Sequence, residues 1–179
     1  MRPLSFIMSA LALALYCSSY FFNSKKKYLI LQMSGNVFLS LSYFFMGAYF
    51  TMVSVAIGIL RGLICYTYEK HNKKVPLYMI MGLCFVTVLS YVLINYVVLS
   101  GTASPWDILY MAASCMYAII FAIRNIILMR YVVLIPHTCA IAYNLLVHAP
   151  ISSAISYGIE FVITVVAIVK FRLQEKKDK

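Results

Sequence analysis

Seven stretches of 17 to 24 mostly apolar residues, each bounded by charge or turn residues, occupy almost the whole chain. They are Leu4–Phe22, Tyr28–Met46, Tyr49–Tyr68, Pro76–Leu99, Trp106–Ile123, Tyr131–Val147 and Ile151–Val169. A helix needs about 20 such residues to cross a bilayer. Only a structure that satisfies its backbone hydrogen bonds internally survives there, so each stretch is expected to be a helix. The 179 residues are 64% hydrophobic and 11% charged, with a mean hydropathy of +0.90. Soluble domains run at about 45–50% apolar and about 25% charged. A soluble globule, a disordered chain and a nucleic-acid-binding domain are therefore excluded, and the fold class expected is an all-α integral membrane protein of seven transmembrane helices.

The net charge of +10 acts through its placement. With the amino terminus outside, one side collects Lys25, Lys26, Lys27, Lys70, Lys73, Lys74, Arg124, Arg130, Lys170, Arg172, Lys176, Lys177 and Lys179, 13 of the 15 Lys and Arg residues. Arg2 falls on the opposite side and Arg61 inside a span. Because positive loops stay in the cytoplasm, the N-terminus is expected outside and the C-terminus in the cytoplasm. Anionic lipid head groups become expected neighbours of the cations. Arg2 before an apolar run with Ala10, Ala12 and Ala14 also admits a cleavable signal peptide. The block Lys25-Lys26-Lys27 that follows is instead a stop-transfer pattern and favours a retained helix. Between Arg124 and Arg130, Ile126, Ile127 and Leu128 can extend either neighbouring helix or lie at the interface.

Two three-helix blocks flank the fourth stretch and both begin outside, the plan of a parallel repeat about an axis along the membrane normal. The expected units are residues 1–68, a loop and linker helix over 69–104, a second bundle over 105–171 and a basic tail over 172–179. Ser54, Gly58, Arg61 and Cys65 fall on one helical face, and Ser153, Tyr157, Glu160 and Thr164 repeat that spacing 99 positions later. Tyr28-Leu-Ile-Leu31 pairs with Tyr131-Val-Val-Leu134 at a displacement of 103, which requires a gap of four before the third span.

Arg61 and Glu160 are the only Arg, Lys, Asp or Glu residues well inside spans. A charge at a helix centre costs about 2.5–3.5 kcal/mol on insertion scales, so each requires a partner or water. One reading pairs them across the repeat axis, lining or gating a polar pathway. The other lets Arg61 snorkel to the interface and leaves Glu160 a buried structural acid. The second span carries Gln32, Asn36 and Ser40 on one stripe, with Tyr43 near it. The sixth carries His137, Asn144 and His148, with Thr138 and Tyr143 beside them. Amides, hydroxyls and an imidazole can orient a neutral polar solute, and they can equally hold helices together. Gln32, Asn36, Ser40, Arg61, His137, Tyr143, Asn144, Tyr157 and Glu160 are the candidate solute-binding residues.

Pro136 is the one mid-helix proline and a candidate hinge, with a static kink as the alternative. Pro76, Pro105 and Pro150 stand at helix starts, and Ser104-Pro-Trp-Asp107 reads as a capping box. Ser54, Gly58 and Gly62 provide the small-residue spacing that lets a neighbouring helix approach. Five cysteines without Cys-x-x-Cys spacing, and His137 and His148 without a ligand partner on their helix, point to no metal and no disulfide. No phosphate loop, nucleophile elbow or carboxylate pair asks for an enzyme or a cofactor.

The size, the basic loops, the opening helix ending in Phe21-Phe22-Asn23-Ser-Lys-Lys-Lys27 and the stretch Gly58-Ile-Leu-Arg61 resemble the YgjV family of bacterial inner-membrane proteins. That family is similar in turn to the SWEET, SemiSWEET and PQ-loop transporters, whose three-helix bundles are joined as 3+1+3 with an external N-terminus. In the family an Asn commonly stands three positions before the third-span Arg. Gly58 holds that place here, so the implied role passes to Arg61 alone. Pro136-His137 stands where the PQ-loop group has Pro-Gln. The resemblance implies a carrier or facilitator of a small polar solute, sugar-like or otherwise hydroxylated or heterocyclic, working by alternating access in the inner membrane. Lipid and solute are the expected partners, nucleic acid is not, and a homodimer stays open. A non-transporting membrane scaffold or accessory protein is the alternative.

Overall fold

A computed structural model describes residues 2–46, 49–93, 106–146 and 151–177. Seven helices cover them, with no strand among the described residues. They are α1 (Arg2–Ser19), α2 (Lys25–Met46), α3 (Tyr49–Lys70), α4 (Leu77–Leu93), α5 (Asp107–Ala122), α6 (Ile126–Leu146) and α7 (Ile151–Lys177). Three of the described segments, Lys25–Met46, Met52–Lys70 and Ile126–Tyr143, are long and apolar enough to cross a membrane. Leu4–Ser19, Leu77–Leu93 and Met111–Ala122 are shorter apolar helices. Phe6, Leu77, Met81 and Phe85 are among many large apolar side chains that face outward, as lipid-facing positions do.

Local chemistry moves several helix ends from where apolar runs alone place them. α1 stops at Ser19, whose hydroxyl bonds back to the Tyr16 carbonyl, while the amides of Phe21 and Phe22 close tight turns onto Ser18 and Ser19. Consequently Lys25, Lys26 and Lys27 lie in the first turn of α2 instead of a loop. Their charges oppose the helix dipole there. Lys25 offsets this by pairing with Glu69 at 3.2 Å, tying the start of α2 to the end of α3.

α3 ends with Asn72 at φ 54°. The amides of Lys73 and Asn72 return to the carbonyls of Tyr68 and Glu69, closing the helix in a left-handed cap. The segment left open between Arg124 and Arg130 belongs to α6. Asn125 accepts hydrogen bonds from the amides of Ile127 and Leu128 at 2.9 and 3.1 Å, and so starts the helix at Ile126. α5 begins behind Trp106 with no side-chain cap hydrogen bond from that residue; Ser104, Pro105 and the side chain of Asp107, the expected capping box, lie outside the described residues. α7 runs on to Lys177, so the expected tail is mostly helix. Pro150 and His148 also lie outside the described residues.

The helices are neighbours in a closed order. α2 packs between α1 and α3, α6 between α5 and α7, α3 touches α5, and α7 returns to α1; α4 lies outside against α3 and α5. A cluster from six segments fills the cation-bearing end: Tyr20 beyond α1, Tyr28 and Leu29, Cys65, Ile120 and Phe121, Met129 and Val133, and Ala167 and Phe171.

Glycines set the tightest seam. A Cβ on Gly35 of α2 would lie 2.5 Å from the Tyr16 ring of α1, and one on Gly62 would run into Met33. Gly58 and Gly62 therefore serve the α2–α3 contact. On α1 the inward residues Ser5, Ser9, Ala12, Tyr16 and Ser19 alternate steps of four and three, the spacing of a left-handed helix pair. Of the tyrosines paired by the displacement of 103, Tyr28 is buried in the core and Tyr131 is half-buried beneath Arg172.

Candidate functional site

His137 is the hub of the interior. It is 1% exposed, set one residue after Pro136 on α6 and aimed toward α1, α5 and α7. Its Nε2 lies 3.0 Å from the Tyr20 hydroxyl and 3.7 Å from Oε2 of Glu160. Its Nδ1 lies 2.5 Å from the Tyr117 hydroxyl. A neutral imidazole donates at one nitrogen and accepts at the other, so one of these tyrosines accepts while the other donates. The Tyr157 ring completes the enclosure, 6.4 Å from the imidazole centre. Glu160 is buried on the same face of α7 as Thr164, which donates to the Glu160 backbone carbonyl.

Glu160 thus meets His137 and not Arg61, which corrects the direct Arg61–Glu160 pair. Arg61 is buried too, but its Nη1 donates at 2.9 Å to the Ser114 carbonyl of α5. Its guanidinium stands over Tyr117 and Phe121, 5.3 and 5.0 Å from the ring centres. It does not snorkel to the surface either, because the aromatic faces hold it inside. Tyr117 links the two ionisable residues: its face carries Arg61 and its hydroxyl reaches His137. Gly58 leaves the space that Arg61 and Asn36 share, since a Cβ there would be 3.4 Å from Arg61 Nη2 and 3.2 Å from Asn36 Nδ2.

The stripe on α2 is spent differently. Gln32 donates to Ser19 Oγ at 2.9 Å and Asn36 Oδ1 accepts from Tyr16 at 2.8 Å, both across to α1. Ser40 stays half-buried, and Ser42 makes the hydroxyl contact, 2.9 Å from Ser5 Oγ and 2.7 Å from Ser9 Oγ. Tyr143 is half-buried on α6, six residues beyond His137. The side chains of Asn144 and Ser153 lie outside the described residues. Among the described residues no group of three His, Cys, Asp or Glu side chains could hold a metal ion.

Sequence reasoning missed Tyr20 and Tyr117. With 15 tyrosines in an apolar chain, neither stands out by type. A usable signal was present: Tyr16 precedes Asn36 by 20 residues, and Tyr117 precedes His137 by the same 20.

The model of a family described as bacterial inner membrane protein, YgjV, matches residues 4–175. The chain belongs to the YgjV family. Searches against curated proteins and against solved structures return no match. In this YgjV family member the matched region holds every residue of the His137 cluster, together with Arg61 and the α1–α2 contacts.

Proposed function

We propose that this inner-membrane protein carries or facilitates passage of a small polar solute. Seven spans form two three-helix units joined as 3+1+3, similar to the SWEET and PQ-loop plan. The N-terminus is outside and the C-terminus in the cytoplasm, where the basic residues collect. The observation that carries the reading is the cluster of His137, Glu160, Tyr20 and Tyr117, linked through Tyr117 to Arg61. It joins α1, α3, α5, α6 and α7 with donors and acceptors at fixed points, the equipment for orienting a hydroxylated or heterocyclic molecule.

Two features support the repeat. Exchanging α1, α2 and α3 for α5, α6 and α7 leaves the order of neighbours unchanged, because the α3–α5 contact becomes the α7–α1 contact. Adding 101 to Tyr16 and Asn36 gives Tyr117 and His137, so one hydrogen bond between the first and second helix recurs in both units. The third-helix stripes keep their displacement of 99, and the gap between registers is two, not four.

In alternating access the two units rock about the central site. Pro136, which leaves the Val132 carbonyl without its helical donor beside His137, is the hinge in this scheme. The chemistry is transfer without a covalent step, so no enzyme activity is assigned. Proteoliposomes assayed with radiolabelled sugars, nucleosides and amino-acid-like solutes test the reading. Flux above empty vesicles that falls in His137→Ala supports it, and no flux for any class overturns it. The alternative, a membrane scaffold, draws on the α1–α2 seam, where Gln32, Asn36 and Ser42 are all occupied by helix contacts.

A further inference from the structure

Arg130 is outside both the proposed pathway and the set of site residues read from the sequence, yet it is 1% exposed. Its Nη2 donates to the Phe22 carbonyl of the α1–α2 turn at 2.6 Å, and its guanidinium stacks 4.1 Å from the centre of the Phe171 ring of α7. Nε and Nη1 are buried with no hydrogen-bond partner, which leaves three of the five guanidinium N–H bonds without an acceptor. Such donors are expensive to bury unless something accepts from them.

Among the described residues the surroundings supply more positive charge and no acid. Lys170 Nζ lies over Phe21 at 5.6 Å, Lys27 Nζ over Phe22 at 5.5 Å and Arg172 over Tyr131 at 5.5 Å. The described acidic side chains are engaged elsewhere, Glu69 with Lys25 and Glu160 with His137. The seam between the α1–α2 turn and the ends of α6 and α7 is therefore closed by one hydrogen bond and ring contacts to cations.

We propose that this seam is a binding site for a phosphate-bearing anion, anchored by Arg130 and rimmed by Lys170 and Lys27. A phosphate carries several acceptor oxygens and can take a spare guanidinium N–H bond and an ammonium together. Its entry exchanges cation–ring contacts for charge-assisted hydrogen bonds, the stronger kind. Phe21 and Phe22, 43% and 39% exposed, flank the seam with apolar surface suited to acyl chains. The phosphate can belong to a lipid head group or be free in solution.

Native mass spectrometry of the purified full-length chain, offered phosphatidylglycerol and phosphatidylcholine with the same acyl chains in equal amounts, tests the first source. Melting in neutral detergent with added inorganic phosphate tests the second. Retention of phosphatidylglycerol is expected to exceed that of phosphatidylcholine by about fivefold for each cation engaged. Lys170→Gln should reduce the preference, Arg130→Gln should reduce it most, and Lys74→Gln, in the α3–α4 loop, should leave it intact. Arg130→Lys, which keeps the charge and loses the planar fork, serves if Arg130→Gln does not fold. A rise in melting temperature with phosphate that Lys170→Gln removes, without lipid preference, assigns the site to the free anion. No response to either probe, or a preference that survives both Lys170→Gln and the folded Arg130 variant, overturns the proposal.

Discussion

Tyr16–Asn36 and Tyr117–His137 are both tyrosine contacts across 20 residues of chain, and their neighbourhoods differ. In the first three helices the bond sits in a zipper of small and polar residues, where Gln32 reaches Ser19 and Ser42 reaches Ser5 and Ser9. Every described partner there lies on α1, and Gly35 lets the Tyr16 ring press against α2. In the second three, the residue after the proline is an imidazole with two nitrogens, and the second nitrogen reaches out of its own group to Tyr20. Glu160 and Tyr157 of α7 close around it. One polar side chain ends a contact within its group, whereas the other begins a network between groups. A two-sided ring on α6, in place of the amide that α2 offers its tyrosine, is what turns helix adhesion into a candidate site.

The comparison can be broken most sharply at its two centres. His137→Ala removes the contacts to both the Tyr20 and the Tyr117 hydroxyl, at about 0.5–1.5 kcal/mol each. Asn36→Ala removes one such contact, to the Tyr16 hydroxyl, at about 0.5–1.5 kcal/mol. Equal losses in reversible unfolding in mixed micelles would show the contacts to be equivalent.

Gly35 and Pro136 stand one residue before Asn36 and His137, and their variants should act oppositely. Gly35→Ala forces the Tyr16 ring away and should cost about 1–3 kcal/mol, read as a lower midpoint. Pro136→Ala restores an amide donor to the Val132 carbonyl, so the midpoint should hold or rise while solute flux falls. A fall in midpoint without loss of flux would remove the hinge. Glu160→Gln preserves shape at a buried position and should change stability by no more than about 1 kcal/mol. Its effect belongs to flux measured against pH, and a profile like that of the wild type would take the carboxyl out of any proton-linked scheme. Asn125→Ala is expected to cost about 1 kcal/mol from the lost α6 cap, with flux unaltered.

Much of the architecture was legible because apolar length and charge placement act locally. The helices, the gathering of cations and the inward faces carrying Arg61, Cys65, Glu160 and Thr164 all follow from spacing along single helices. Partners were not legible. A stripe gives the direction a side chain points on its own helix and leaves the neighbour unspecified, so spacing offers Arg61 as a partner for Glu160 and does not point to His137. The aromatic faces that hold Arg61 come from α5, a helix with no polar stripe to draw attention. Arg130 was counted with the surface cations, since nothing in its immediate sequence announces that Phe171 and the Phe22 carbonyl enclose it. Asn125 was readable as a cap, and reading it would have settled where α6 starts.

α7 extends 17 residues past Glu160 to Lys177, about 25 Å of continuous helix at 1.5 Å per residue. Such a rod is a lever with its short arm against His137. A tilt of about ten degrees pivoting at Glu160 would carry the far end roughly 4 Å on that rise. A spin label or fluorophore attached there would act as a pointer on a dial, converting repacking around one buried carboxyl into a displacement measured well away from it.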